Sequence, residues 1–146
     1  MKTELFTIDS SVIISMLIEL QANHSDSKNF IEYVMKIKGV LIVPMIIFFE
    51  TFHTLKRLGF FDVKNAHETF IQFCNYSNFK FLDLNMKFFN HFKQADCFSN
   101  LKTSDAIIAS AAFLTESTLI SWDRQLIKNT INAYTPTGFL NKLPEQ

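Results

Sequence analysis

Short apolar runs, each followed by a stretch at helical spacing, recur along this chain, and that alternation constrains its fold more than any other feature. Leu5 to Ile8 is closed by Asp9-Ser10-Ser11, all good helix N-caps, after which Val12-Ile13-Ile14 and Met16-Leu17-Ile18 resume at near-helical spacing. A polar stretch from His24 to Asn29 leads into Phe30, Tyr33, Val34 and Ile37, one apolar face of a second helix that ends at Gly39. Val40 to Val43 reads as a second strand, continuous in its hydrophobicity like strands covered on both faces. Pro44 suits the first residue of the next helix, which ends at Lys56-Arg57-Leu58-Gly59 with cations in its last turn. Phe61-Asp62-Val63 is expected to cap a helix through Cys74, with Ala66, Phe70 and Phe73 on its buried side. Phe79 to Leu84 is the third strand, and Asn85 opens a helix carrying Phe88, Phe89 and Phe92. Thr103 and Ser104 cap a helix over Asp105 to Leu114, and Thr118 to Ser121 is the fourth strand. Arg124 to Lys128 is a short helix, and Asn132 to Tyr134 a weak edge strand. Strands separated by helices imply an α/β fold, a central parallel sheet of four to five strands with helices on both faces.

At 146 residues the chain has the size of one domain, and residues 1–146 read as a single unit without linker or repeat. Its 48% hydrophobic residues, 17 of all residues being Phe, supply a core, while 3 Gly and 3 Pro leave little room for long irregular loops. Lys+Arg and Asp+Glu are both 14, which argues against charge-driven coating of nucleic acid but permits a locally basic face. Cys74 and Cys97 form no CxxC and are too few for a disulfide framework or a four-thiolate zinc site, so they read as free thiols in a reducing compartment. The longest apolar run, Val40 to Phe49, contains a Pro and falls well short of the roughly 18 residues that span a bilayer. Glu4 and Asp9 interrupt what would be a signal-peptide core, and a cytoplasmic protein without membrane association is expected.

Four carboxylates are attached to apolar elements: Asp9 after Leu5 to Ile8, Glu50 within Pro44 to Phe52, Asp105 before Ala106-Ile107-Ile108-Ala109, and Asp123 after Leu119-Ile120-Ser121-Trp122. An ionised carboxylate buried without an opposite charge neutralises or costs several kcal/mol. One shared cation relieves all four. In parallel sheets ligands bind outside the carboxyl ends of the strands, where Asp9 and Asp123 fall and towards which Glu50 and Asp105 map. Hard oxygen ligands of this kind suit one or two Mg2+ or Mn2+ ions, which keep several waters and favour substrate phosphate. In phosphodiester hydrolysis such an ion polarises the phosphoryl oxygen, activates water and stabilises the leaving alkoxide, so no Ser, Cys or His nucleophile is required. The bland alternatives are an N-cap for Asp9 and favourable charges at helix N-termini for Asp105 and Asp123; Glu50 has the least convincing one. Glu50-x-x-His53 lacks the second motif and long helices of a di-iron bundle, and His24, His67 and His91 are scattered singles. Arg57, Lys102, Arg124 and Lys128 flank the acidic segments and are candidates for phosphate contact.

Taken in order, Ile8-Asp9-Ser10-Ser11-Val12, Val43-Pro44 with Glu50, Leu101-x-x-Ser104-Asp105-Ala106-Ile107-Ile108-Ala109 and Leu119-Ile120-Ser121-Trp122-Asp123 resemble the PIN-domain family. The likeness is greatest to the small bacterial ribonucleases that act as toxins of VapBC-type toxin-antitoxin pairs, and it covers essentially the whole chain. It implies a PIN-like, Rossmann-like domain and a Mg2+- or Mn2+-dependent endoribonuclease with Asp9, Glu50, Asp105 and Asp123 as its metal-binding acids. Ser10 or Ser121 would orient a ligand or water. An RNA substrate, a cognate small antitoxin lying along hydrophobic grooves and a homodimer are implied with it. Ser121 stands where the family commonly has Thr, Leu126 where an aromatic often follows, and no acid lies two residues after Asp123, so one ion is better supported than two.

Two other classes compete. A haloacid-dehalogenase-type phosphatase would need an acid at position 11, where the chain has Ser11. A receiver-like or catalytically degenerate PIN module would bind a partner only; a receiver would show paired acids after the first strand and a late Lys, and neither is evident.

Overall fold

A computed structural model of the chain describes residues 3–59, 68, 71–75, 78–94 and 98–144. Its elements are β1 (Leu5–Ile8), α1 (Ser10–Leu17), α2 (His24–Lys36), β2 (Val40–Pro44), α3 (Met45–Arg57), β3 (Phe79–Leu82), α4 (Met86–Phe92), α5 (Thr103–Leu114), β4 (Thr118–Ile120), α6 (Arg124–Lys128), β5 (Ala133–Tyr134) and α7 (Pro136–Leu140). Of the helix expected from Phe61 through Cys74, residues 71–75 are helical, whereas Phe61, Asp62, Val63, Ala66 and Phe70 lie outside the described residues.

The five strands form one sheet in the order β3-β2-β1-β4-β5, and every neighbouring pair is parallel. The chain therefore moves outward from β1 to β3, then returns past β1 to β4 and β5. Crossovers of the usual right hand put the connecting helices of the two halves on opposite faces, and the terminal α7 then comes back against α2. Accordingly α1 packs on α2 and α3, while α5 crosses β1, β2 and β4. The direction reverses between β1 and β4, whose carboxyl ends open the crevice that a sheet of this kind offers to ligands. Their register is close: Ile8 pairs with Ile120, and the Asp9 N–H donates to the Ile120 carbonyl at 3.0 Å.

Phe6 of β1 lies edge-on to Phe30 of α2 and Phe139 of α7, with ring centroids 5.4 and 5.2 Å away, so one aromatic cluster joins the sheet to both helices. Thr7, on the opposite pleat, is buried and shares a 2.7 Å hydrogen bond with Ser117 before β4.

Several element ends differ from the sequence reading: β3 stops at Leu82 rather than Leu84, β4 at Ile120 rather than Ser121, and β5 starts at Ala133 rather than Asn132. After α2, the left-handed residue is Lys38 (φ 56), and Gly39 follows it, its N–H donating to Val34 at 2.9 Å to close the helix. What Gly39 supplies is space, because a Cβ there would stand 3.0 Å from Val34 Cγ1 and 3.3 Å from Phe6 Cε2. Pro44 closes β2, pairing with Leu82, and serves as N-cap residue of α3 rather than as its first residue. Lys102 is the N-cap residue of α5, which starts at Thr103, so Asp105 is its third residue. Among the described residues no helix is long and apolar enough to cross a membrane.

Candidate active site

Asp9 leaves β1 in extended conformation at the N-cap position of α1, but its side chain makes no capping hydrogen bond. It is 6% exposed, and Oδ2 instead accepts the hydroxyls of Ser11 at 2.6 Å and Ser121 at 2.8 Å. Its other oxygen, Oδ1, lies 3.5 Å from the Ser10 hydroxyl, which donates over a shorter 3.1 Å to Glu50 Oε2. Ser10 thus stands between the first two acids. Glu50 reaches it from the second turn of α3, where the helix turns its neighbour Phe49 outward, 66% exposed. The apolar run around Glu50 is therefore divided between core and surface.

Asp105 is half-buried in the first turn of α5. Asp123 follows β4 by two residues, is exposed, and caps α6 with Oδ1, which accepts the N–H groups of Gln125 at 2.7 Å and Leu126 at 3.2 Å. Of the four acids attached to apolar elements only Asp9 is buried; Glu50 and Asp105 are half-buried, and Asp123 is exposed because its apolar predecessors belong to the strand while the acid lies beyond its end.

Burial is the first cause that pushes the Glu50 carboxyl above its ordinary value, and the charges of Asp9 and Asp105 add to it; hydroxyl hydrogen bonds from Ser10 and Ser104 work the other way. Asp105 is likewise pushed up, first by burial, then by Asp123 and Asp9, with Lys102 offsetting part of the effect. These influences connect all four acids in one electrostatic cluster. In both cases desolvation exceeds repulsion.

Among the described residues no three Asp, Glu, His or Cys side chains converge tightly enough to hold an ion between them. The donor set is therefore not a closed protein cage. Hard carboxylate and hydroxyl oxygens at a sheet edge, with mutual repulsion left in place, do fit a hydrated divalent cation held by one or two carboxylates. Asp9 and Glu50, bridged by Ser10, are the pair best placed to take it.

Ser10 and Ser121 both lie at the cluster. Lys102 acts on Asp105 from the start of α5, whereas Arg57, Arg124 and Lys128 are exposed and are not among the groups that shift Glu50 or Asp105. His53 and His91 are exposed, and His24 Nδ1 bonds the Ser15 carbonyl at 3.0 Å away from the acids. Cys74 is a free thiol that burial pushes up to about 11. Sequence reasoning passed over Ser11 and Ser104, treating them as helix caps. The available signal was a serine within two residues of each of Asp9, Asp105 and Asp123.

A family model described as PIN domain matches residues 6–131. No curated protein matches the chain significantly in sequence. Among solved structures, VapBC2 from Rickettsia felis bound to a promoter DNA fragment is similar with a TM-score of 0.68 at 12% identity, over 90% of this chain and 96% of that one. PAE2754 from Pyrobaculum aerophilum gives 0.65 at 20% identity over 96% and 88%. The sarcin-ricin loop cleaving toxin VapC20 from Mycobacterium tuberculosis gives 0.65 at 12% identity over 87% and 97%.

Proposed function

Because the chain belongs to the PIN-domain family, we propose that it is a Mg2+- or Mn2+-dependent endoribonuclease and the toxin of a toxin-antitoxin pair. The observation that carries this reading is the cluster itself: Ser10 joins Asp9 to Glu50 at the carboxyl edge of the sheet, Asp9 and Asp105 raise Glu50, and Asp123 and Asp9 raise Asp105. Membership of the family and the fold shared with VapBC proteins support nuclease chemistry; the neighbour that cleaves the sarcin-ricin loop supports RNA as the substrate.

A bound divalent ion would supply Lewis acidity towards a phosphodiester and its attacking water. The protein's own part is orientation. Asp9, held at Oδ2 by two hydroxyls, presents Oδ1 beside Glu50, and Ser10 keeps these two acids in register. Asp105 and Asp123 add negative potential, attracting the cation and leaving room for substrate phosphate only once it is loaded. Lys102, exposed beside Asp105, is placed to meet that phosphate, and Arg124 stands next to Asp123; Arg57 and Lys128 would contact RNA further out.

A cognate antitoxin in the cytoplasm belongs to the same proposal, supported by the fold shared with a toxin-antitoxin complex from Klebsiella pneumoniae and with VapBC-1 from nontypeable Haemophilus influenzae. So does a homodimer, for which Phe49, Phe81, Met86, Phe89 and Phe113 provide exposed apolar area.

The test is digestion of a mixed RNA pool with Mg2+ or Mn2+, with mapping of the cleaved ends. Cleavage by the unmodified chain, its loss with chelator, and its loss in Asp9→Asn and Glu50→Gln are expected, a drop of at least about a hundredfold. Equal cleavage by both variants would sink the mechanism.

A further inference from the structure

We propose that Ser11 is a positioning residue that ties Asp9 to the loop carrying Asp123; the inference rests on the metal-dependent reading above. A hydroxyl has one proton to give, and a carboxylate only accepts. The 2.6 Å contact between Ser11 Oγ and Asp9 Oδ2 therefore fixes the direction of that proton, and the lone pairs of Oγ remain to accept the Trp122 N–H at 3.1 Å. Ser121 repeats the arrangement, donating to the same Oδ2 at 2.8 Å and accepting the Asp123 N–H at 2.9 Å. Two consecutive backbone donors after β4 are thus relayed through two hydroxyls to a single oxygen of the acid after β1.

Two consequences follow for the site. Oδ2 is held from two sides, which sets the rotation of the Asp9 carboxylate and leaves Oδ1 facing Ser10. The separation between the first and last acids is set by the same atoms, because Ser11 belongs to α1 and Trp122 to the loop preceding Asp123. Ser10 cannot replace it. Adjacent helical residues point about 100° apart, and Ser10 gives its proton to Glu50. The loop cannot simply follow Asp9 either, since the Trp122 indole is anchored separately, Nε1 donating to Ser27 at 2.8 Å. Changing a group that orients a metal ligand lowers metal affinity by about 10- to 100-fold.

Mn2+ titration by calorimetry, paralleled by the fluorescence of Trp122, the chain's single Trp, reads this without relying on activity. Ser11→Thr and Ser11→Val differ by a hydroxyl against a methyl at nearly equal volume, so their comparison removes packing from the result. Ser117→Ala is the control: Ser117 is 5% exposed and bonds Thr7 at 2.7 Å before β4, away from the Asp9 relay. The expected result is Mn2+ affinity close to the unmodified chain's in Ser11→Thr and Ser117→Ala, and at least tenfold weaker in Ser11→Val and Ser11→Ala. In RNA cleavage the half-saturating Mn2+ concentration should rise by the same factor. Equal affinity in the Thr and Val variants overturns the inference, as does a loss in Ser117→Ala matching that in Ser11→Ala. Absence of saturable Mn2+ binding in the unmodified chain would instead remove the metal reading, and this inference with it.

Discussion

Replacing Glu50 with Gln should raise the stability of the metal-free protein and lower that of the metal-loaded one relative to the unmodified chain. The substitution keeps the side chain's shape and an amide oxygen that accepts the Ser10 hydroxyl, now at 3.1 Å from Oε2. What it removes is a half-buried negative charge whose charged neighbours, Asp9 and Asp105, are themselves negative. Each repulsive pair at a partly exposed site is worth about 0.2–1 kcal/mol, so the two together give roughly 0.5–2 kcal/mol. For a domain of this size that is a rise in Tm of about 1–8 °C.

The sign with pH follows from linkage. Glu50 in the folded chain lies above its ordinary value of 4.5, so the folded state holds the proton more tightly than the unfolded one. The stability this contributes is complete below the ordinary value and is lost as pH rises through the folded value. The advantage of the Gln variant should therefore vanish in acid and be full near neutrality. Mn2+ at a hundred times its Kd would stabilise the unmodified chain by about 2.7 kcal/mol, more than the repulsion relieved, so the order reverses. Differential scanning calorimetry with chelator and with Mn2+, at acid and neutral pH, reads both effects. A Gln variant less stable than the parent in chelator, or an equal rise in Tm with Mn2+ for both proteins, would refute the reasoning.

Two further outcomes are expected. Ser27→Ala removes the acceptor of the Trp122 indole N–H and breaks the 2.6 Å bond to Ser15 inside a fully buried position, which should destabilise by about 1–3 kcal/mol, lowering Tm by roughly 2–12 °C with a shift in Trp emission; unchanged unfolding would contradict it. Cleavage at fixed, subsaturating Mn2+ should fall as pH drops through the raised values of Glu50 and Asp105, because protons compete with the ion, and should be recovered in part by more Mn2+; a rate flat from neutral pH into the acid range would show that neither group is a ligand.

The sheet was legible because its strands are short apolar runs bounded by capping or turn residues, although β3, β4 and β5 are one or two residues shorter than the sequence suggests. Asp9-Ser10-Ser11 after Ile8 and Gly59 after Arg57 mark helix ends by local chemistry, and the structure keeps both boundaries, Gly59 with φ +65. Gly39 illustrates the limit of that reasoning. A glycine after a helix suggests a left-handed residue, yet Lys38 takes that conformation while Gly39 answers a tertiary demand, the close passage of Val34 and Phe6. The site divides in the same way. Its acids could be found because they interrupt apolar runs, but the hydroxyls that orient them could not, since a serine near a helix start is a cap by default and only the pairing of β1 with β4 brings Ser121 to Asp9. Asp123 joins the two cases. Read locally it is an N-cap, and the structure confirms that it accepts two backbone N–H groups; it nonetheless raises Asp105 across the crevice. The cap and the candidate site do not compete for this residue, because capping occupies Oδ1 alone and fixes the carboxylate at the mouth of the crevice.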